Sequence, residues 1–299
     1  MWFIYALIAL FCWSGSDLFS KIGTKQNDKL SQYKMVMAVG AVMGIHACYE
    51  IFVDGVQISM SAIVTYLPVS LLYILSMTLG YVGLRYIELS ISSPVCNSSG
   101  ALASLFCFLF LHETLSGGQT GAVILICISV IGLGIVEMLE DEENRIKRQE
   151  RANVKYRKSM IALLLPVFYC VLDAMGTVAD NIVLNNLEEN TANVAYELTF
   201  LVMGILCFIY VVFVKREKLT LPSEGPKLIG ATFETAGQLA YIFAIGANAV
   251  AAAPVISSYC MLSVVWSRIF LKEKLSKWHY LMILLCIVGI VLLGAIEGE

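Results

Sequence analysis

The chain has 299 residues, of which 59% are hydrophobic and only 14% are charged. Soluble domains carry about 25% charged residues, so this chain cannot cover a water-facing surface and must place much of its exterior in lipid. The composition also excludes a disordered, collagen-like or coiled-coil protein. The net charge of −3 gives no basic surface and therefore indicates no nucleic-acid partner.

The nine cysteines and three histidines form no catalytic or metal-binding pattern. The cysteines lie in apolar runs without a CxxC pair, and the motifs HExxH, GxSxG, GxxxxGK and GxGxxG are missing from the contexts that would give them meaning. We therefore predict that the protein is not an enzyme, has no catalytic residues and uses neither a metal nor a cofactor.

Ten apolar stretches follow one another along the chain, and each is long enough to cross a hydrocarbon core about 30 Å thick. They predict an all-α integral membrane protein with ten transmembrane helices. In chain order the spans are 2–21, 35–53, 62–84, 91–111, 117–137, 159–181, 192–214, 227–246, 251–271 and 277–296.

The basic residues predict which loops face the cytoplasm, because Lys and Arg accumulate in short cytoplasmic loops. All 20 Lys and Arg residues fall in or beside the odd-numbered loops of this parsing. We therefore expect a multi-pass protein of the cell membrane with both termini outside. The longest polar stretch, the mixed-charge segment 140–158, is then a cytoplasmic linker.

The two halves of the chain repeat one another. Residues 92–116 align with residues 252–276 without a gap, at one constant offset that places Pro94 on Pro254. Apolar helices can look alike by chance, but apolarity alone does not align Pro, Ser and Glu at one fixed offset. The other coincident residues include Ser98 with Ser258, Leu102 with Leu262, Glu113 with Glu273 and Ser116 with Ser276.

An odd number of spans in each half turns the second copy upside down relative to the first. Residues 1–139 and 159–299 are therefore predicted to form two inverted five-helix repeats, separated by the charged linker 140–158. Inverted repeats of this kind are typical of alternating-access transporters, which bind substrate near the bilayer midplane between the repeats.

The repeated motif also resembles a known family. It reads SSPV…FLHETLSGGQTGAVILICISVIGLGIV in the first half and AAPV…FLKEKLSKWHYLMILLCIVGIVLLG in the second. A Pro-Val helix start, an apolar helix ending in Glu and Leu-Ser, and a Gly-bearing apolar helix together resemble the EamA type of the drug/metabolite transporter superfamily. The resemblance implies ten helices in two inverted repeats and secondary transport of small metabolites, often as export.

Ionisable residues inside the spans are the first candidates for a substrate site, because a charge at that depth is costly and is kept for function or for a buried structural pair. Glu234, Gln238 and Tyr241 share one face of the eighth span. Asp173 has Tyr169 one turn earlier in the sixth span. We predict a substrate or proton site at these residues, with an internally hydrogen-bonded structural network as the alternative.

Four further residues are candidates for the same site. Asp17 lies near the cytoplasmic end of the first span with Trp13 one turn earlier. Its alternative roles are snorkelling toward the membrane surface and pairing with Lys21. Tyr73 lies near the middle of the third span on a polar and aromatic face, and Asn97 lies in the fourth. Packing or interhelical hydrogen bonding is the alternative for Tyr73 and Asn97.

The acidic candidates have no matching Lys or Arg at the same depth. Carboxylates beside aromatic rings favour a cationic or zwitterionic ligand, so we predict a secondary active transporter of a small amine-bearing metabolite. The alternative is a broad-specificity exporter of amino acids or metabolites in which the acids serve proton coupling only. The expected partners are the small-molecule substrate, the lipid bilayer and protons as coupling ion. Glu197 and Glu50, nearer the outside, are predicted to be solvated rim residues.

Overall fold

The computed structural model describes residues 1–24, 28–87, 89–110, 115–139 and 160–297. These residues form helices, and no β-strand occurs among them. The predicted linker 140–158 and Glu113 of the repeated motif lie outside the described residues.

Among the described residues, the first half contains six helices and the second half contains five, two of which continue into π-helical segments. The first-half helices are α1 (Trp2–Gly23), α2 (Ser31–Phe52), α3 (Met60–Leu84), α4 (Leu89–Asn97), α5 (Ser99–Phe110) and α6 (Gly117–Leu139). The second-half helices are α7 (Met160–Leu184), α8 (Glu189–Phe208, continued by the π-helix Ile209–Val214), α9 (Leu221–Ser257), α10 (Tyr259–Trp266, continued by the π-helix Ser267–Leu271) and α11 (Lys277–Glu297).

Equivalent helices start with equivalent caps. Ser116 precedes α6, where its hydroxyl accepts a hydrogen bond from the Gln119 N–H and its own N–H donates to Gln119 Oε1 at 2.8 Å. This is a capping box. Ser276, the counterpart of Ser116 in the second half, precedes α11, and its N–H donates to His279 Nδ1 at 3.1 Å. The repeat seen in the sequence is therefore also present in the local structure.

Eight of the described helical segments are long and apolar enough to cross a membrane, and a shorter apolar helix spans Lys277–Leu293. The last of the eight, Leu221–Leu271, covers both predicted spans 227–246 and 251–271. Separate helices with a loop between them are expected there, but the structure joins the two legs through one non-helical residue, Asn248. The alanine-rich sequence on both sides of Asn248 favours helix, which leaves no residues for a loop.

The chain reverses direction at Asn248. Its first leg runs antiparallel to α1, whereas α10, which follows the second leg, runs parallel to α1. The contacts are Tyr5 with Phe243, Trp13 with Gly237 and Gly23 with Lys227 for the first leg, and Trp13 with Tyr259 and Asp17 with Ser263 for α10.

Helices of the two halves pack against one another in antiparallel pairs. The pairs are α1 with the first leg of α9, α2 with α8, α3 with α7, α5 with the second leg of α9, and α6 with α11. Exchanging the two halves at the offset of the sequence repeat reproduces these pairs, except that α5 with the second leg of α9 becomes α10 with α4, two helices that also pack against each other. The backbones of α2 and α8 approach closely where they cross, because a Cβ atom at Gly40 would lie 2.8 Å from the Gly204 Cα atom.

The pairs define two faces of the bundle. We call the face at which α1 begins the N-terminal face, and the face at which α1 and α6 end the linker face. On the linker face, Lys34 at the start of α2 lies 3.0 Å from Asp28, 3.3 Å from Glu217 and 3.8 Å from Glu224. Glu224 also pairs with Lys227 at 2.8 Å. This ion network connects the first half to the start of α9.

Candidate functional site

A cavity lies between the two halves and extends from the middle of the bundle toward the linker face. Together with its open mouth it encloses about 900 Å³. All nine residues proposed from the sequence line this cavity: Trp13, Asp17, Tyr73, Asn97, Tyr169, Asp173, Glu234, Gln238 and Tyr241.

Glu234, Gln238 and Tyr241 share one face of α9, as their spacing predicts, and that face borders the cavity. Ser16 of α1 lines the cavity with Glu234 and interacts with its carboxylate. The Trp13 indole donates to the Glu234 main-chain oxygen at 3.3 Å, which fixes the ring beside the carboxylate. Two residues of α1, in the first half, therefore contact Glu234 of the second half.

The other two carboxylates of the cavity are also held by serine hydroxyls. Asp17 accepts from Ser263 at 2.8 Å and from Ser93, while Asp173 accepts from Ser99 at 2.6 Å. Both carboxylates lie within electrostatic range of Glu234. Each serine supplies one neutral hydrogen bond, so the negative charge stays available to a cationic ligand.

Aromatic rings surround the carboxylates. The Trp13 ring centre lies 5.1 Å from that of Tyr241 and 5.8 Å from that of Tyr259. Tyr73 meets Tyr241 edge-on at 6.1 Å. Tyr169 borders the same space from α7. Ring faces beside carboxylates can hold an ammonium group through cation–π attraction.

Asn97 lines the cavity through a local network. Its amide donates to the main-chain oxygen of Ser93 at 2.8 Å and to the Ser93 hydroxyl at 3.3 Å. Because Ser93 in turn donates to Asp17, Asn97 positions the serine that holds Asp17. The Asp17–Lys21 pairing expected as an alternative does not form, since the Lys21 ammonium donates to the main-chain oxygens of Leu84 and Ile87.

Sequence reasoning missed one buried carboxylate, Asp180. Its oxygens accept from Tyr66 at 2.7 Å and from Tyr73 at 3.5 Å, and its exposed fraction is 0%. It lies on the N-terminal side of the cavity, behind the layer formed by Tyr73, Thr177 and Tyr241. A signal was present, because Asp173, Thr177 and Asp180 follow the same i, i+4, i+7 spacing that marked α9.

The prediction that Glu197 and Glu50 are solvated rim residues is wrong. Glu197 is fully buried, and His46 Nδ1 lies 2.9 Å from its Oε1 atom. Glu50 is 8% exposed, with His46 Nε2 at 3.7 Å. The His46 partner comes from α2, far away in sequence, and offsets the cost of burying the α8 carboxylate.

The charge of the cavity is negative. None of the described residues that line it is Lys, Arg or His. Within the described ranges, no group of three or more His, Cys, Asp or Glu side chains is arranged to hold a metal ion. The arrangement can therefore bind a cation through carboxylates and ring faces, or carry protons on the carboxylates.

Comparison with known proteins identifies the class. The EamA-like transporter family matches residues 1–135 and 160–295, and the chain belongs to this family of the drug/metabolite transporter superfamily. It is a multi-pass membrane protein, and its family is a family of transporters. A search of curated proteins gives no significant match.

The fold is also found among solved structures. One crystal structure superposes with a TM-score of 0.63 at 16% sequence identity, covering 97% of this chain and 94% of that chain. At this identity the likeness concerns the fold alone.

Proposed function

We propose that the protein is a secondary active transporter that moves a small cationic or zwitterionic, amine-bearing metabolite by alternating access. The observation that carries this proposal is the set of three carboxylates, Asp17, Asp173 and Glu234, around one aromatic cavity without a lining Lys, Arg or His among the described residues. An ionised carboxylate at this depth costs a few kcal/mol unless something compensates it. Substrate, coupling proton or water must supply the compensation.

The polar groups of the cavity also favour a substrate with an acceptor oxygen. The Gln238 side chain is 3% exposed, and its Nε2 atom has no hydrogen-bond partner among the described residues. A carboxylate, carbonyl or hydroxyl oxygen on the substrate would satisfy this donor. An ammonium group near the carboxylates and an oxygen near Gln238 together describe an amino acid or a hydroxylated amine.

The proposed architecture is ten transmembrane helices in two inverted repeats, with repeat boundaries at 1–139 and 159–299. Three observations support it: the antiparallel pairing of the halves, the equivalent caps of α6 and α11, and the reversal at Asn248 within Leu221–Leu271. For its orientation in the cell membrane, we propose that both termini lie outside and that the linker 140–158 is cytoplasmic. The cavity would then extend toward the cytoplasm.

A second function uses the same acids differently. In a broad-specificity exporter the carboxylates would carry only coupling protons, and the substrate could be neutral. The mutual proximity of Asp17, Asp173 and Glu234 favours this candidate, because closely spaced carboxylates share protons readily.

Reconstituted protein distinguishes the two functions. Uptake into proteoliposomes would be measured for a panel of amines, amino acids and neutral metabolites, with and without an imposed pH gradient. Saturable uptake of amines supports the cation site. Gradient-driven transport of neutral compounds, with no competition by amines, supports proton coupling only.

Glu234→Gln tests the carboxylate directly, since it keeps the shape and hydrogen bonding of the side chain but removes the charge. For a cation-binding role we expect the affinity for amine substrate to fall about tenfold or more, as a charged hydrogen bond contributes about 1.5–3 kcal/mol. For a coupling role, we expect exchange of substrate across the membrane to persist and substrate accumulation driven by a pH gradient to be lost. Glu188→Gln, an exposed residue before α8, is the matched control. Unchanged affinity and unchanged pH dependence in Glu234→Gln would assign Glu234 a structural role.

A further inference from the structure

The two halves place different side chains at equivalent positions on the two sides of the cavity. At the offset that aligns Pro94 with Pro254, Tyr81 corresponds to Tyr241 and Ser20 corresponds to Asp180. Tyr81 and Ser20 line the cavity in its linker-facing part. Tyr241 and Asp180 lie at its closed end, toward the N-terminal face.

The closed end is held by hydrogen bonds. The hydroxyl oxygens of Tyr241 and Tyr73 lie 2.5 Å apart, and the Thr177 hydroxyl oxygen lies 3.3 Å from that of Tyr241. Tyr73 and Tyr66 donate to Asp180 behind this layer. The phenols therefore both close the cavity and compensate the buried Asp180 carboxylate.

The equivalent groups on the open side differ from those at the closed end. The hydroxyls of Tyr81 and Ser20 are buried, and neither has a hydrogen-bond partner in the part of the chain that the structure describes. A buried unpaired hydroxyl costs free energy, so these two groups are arranged for a partner that they meet in another conformation or on a ligand.

Inverted repeats open to the opposite side when one half moves against the other around the substrate site. If the two halves exchange conformations, the contacts of Tyr241 pass to Tyr81. The acceptor Thr177 is then replaced by Asp17, its equivalent in the first half. Tyr81 already lies within electrostatic range of both Glu234 and Asp17. The exchange would also part Tyr73 from Tyr241 and uncover Asp180.

We propose that Asp180 is a second cation-binding carboxylate of the transport path, covered by phenols in this conformation and reached from the N-terminal face in the opposite one. Its ligand is the ammonium group of the transported amine. Tyr81 donates to Asp17 in that conformation, which closes the linker-facing part and releases the amine from Asp17. This inference rests on the proposed function and adds a site on the other side of the tyrosine layer.

Side-specific labelling tests the exposure of Asp180. Single cysteines are introduced by Ser20→Cys and Asp180→Cys in a background without the nine native cysteines, and a membrane-impermeant maleimide is applied to vesicles of each orientation. We expect Ser20→Cys to react from the linker face and Asp180→Cys from the N-terminal face. Tyr241→Phe should speed the reaction at position 180 about tenfold, because it removes a hydrogen bond from the conformation that is closed toward the N-terminal face. Tyr81→Phe should slow the reaction, because it removes a hydrogen bond from the conformation that is open toward that face.

Labelling of Asp180→Cys from the linker face, no labelling of it in any background, or equal rates in the two tyrosine variants would each overturn the proposal. The two tyrosine variants form a matched pair, since each removes one hydroxyl from equivalent positions of the two halves. A general loosening of the bundle would change both rates in the same direction, whereas the proposal requires opposite directions.

Transport by Asp180→Asn tests the function of the carboxylate. Radiolabelled tetramethylammonium is the probe, and both equilibrium binding and uptake into proteoliposomes are measured. We expect binding to persist, because Asp17, Asp173 and Glu234 remain, while uptake falls about tenfold or more. Asp180→Glu should recover part of the uptake. Wild-type uptake by Asp180→Asn would overturn the proposal. If the unmutated protein binds no tetramethylammonium, the proposed function fails, and the labelling result still decides whether Asp180 becomes exposed.

Discussion

Two aromatic side chains reach the cavity because glycines face them across the helix interfaces. Tyr73 lies against Gly176 of α7, and Trp13 lies against Gly237 of α9. A Cβ atom at Gly176 would come within 2.7 Å of the Tyr73 ring. The position of the ring, and with it the Tyr73–Tyr241 contact, therefore depends on the absence of one methyl group.

Gly176→Ala is expected to displace Tyr73 and to destabilise the protein by about 1–2 kcal/mol. Overpacking costs about 1–3 kcal/mol, and the better helix propensity of Ala returns a part of it. Thermal unfolding in detergent and amine binding would both be measured, and both should weaken. Gly121→Ala is the control, because no atom lies within 4 Å of a Cβ atom there. An equal effect of the two substitutions would contradict the packing argument.

The candidate site could be proposed from the sequence because polar residues in apolar helices are few and their spacing fixes the helix face that they share. Glu234 and Asp173 stood out for this reason. Their partners did not, since Ser16 and Ser99 lie on helices distant in sequence and small hydroxyl residues are common in membrane helices. The environment of Glu197 depends in the same way on His46, which only the fold brings close.

At the scale of the helices, α2 and α8 cross at a glycine pair. A Cβ atom at Gly40 would lie 2.6 Å from the Phe200 main-chain oxygen as well as 2.8 Å from the Gly204 Cα atom. Both neighbours are backbone atoms and cannot rotate away. Close backbone approach at small residues is a general mode of helix association in membranes.

Gly40→Ala should force the two helices apart and lower the free energy of unfolding by about 1–3 kcal/mol. Unfolding in a denaturing detergent would measure the loss. Gly225→Ala is the matched control, as a Cβ atom at Gly225 meets nothing within 4 Å. Retained stability in Gly40→Ala would show that the crossing tolerates separation, against this account of the interface.

The ion network on the linker face makes part of the stability dependent on pH. Burial tends to raise the pKa of Asp28, but hydrogen bonds from Lys34 and from the Leu30 N–H, together with the Lys34 charge, lower the pKa below its ordinary value. A carboxylate with a lowered pKa in the folded state stabilises the fold at pH values above its unfolded pKa of about 3.9. That contribution disappears as the pH falls through the folded pKa.

Asp28→Asn should therefore lower the unfolding temperature at about pH 7 and have progressively less effect below about pH 4. Melting curves of the variant and the unmutated protein across this range provide the measurement. Asp54→Asn, at an exposed position after α2, controls for the general effect of charge removal. A difference that stays constant down to the lowest pH would exclude the ionised Asp28 as its cause.

The helices themselves could be predicted closely, because the apolar length needed to cross a bilayer leaves little freedom. The predicted spans 117–137 and 277–296 correspond to α6 and α11, whose bounds in the structure are nearly the same. The continuity of α9 could not be predicted. Its two legs are joined by one extended residue, Asn248, and a turn of one residue leaves no loop-like stretch in the sequence. The breaks after Asn97 and before Tyr259 are equally invisible in an apolar pattern.

At the scale of the whole molecule, the distribution of basic residues predicts which side of the membrane each face occupies. We expect an impermeant thiol reagent to reach Glu150→Cys only from the cytoplasm and Asp54→Cys only from outside, in a background without native cysteines. Intact cells and inverted vesicles provide the two directions of access. Labelling of position 150 in intact cells would reverse the proposed topology. Asp54 lies just beyond α2, so its accessibility serves as the positive control for the outer side.

The turn at Asn248 has a consequence for the synthesis of the protein. Only one residue separates the two legs of Leu221–Ser257. The helix therefore has no polar loop that could stay in water between insertion of the first leg and synthesis of the second. The first leg also carries Glu234, which disfavours its insertion alone. The two legs are therefore expected to enter the bilayer together as a preformed hairpin, so that the acidic helix of the candidate site is inserted only when its apolar neighbour has left the ribosome.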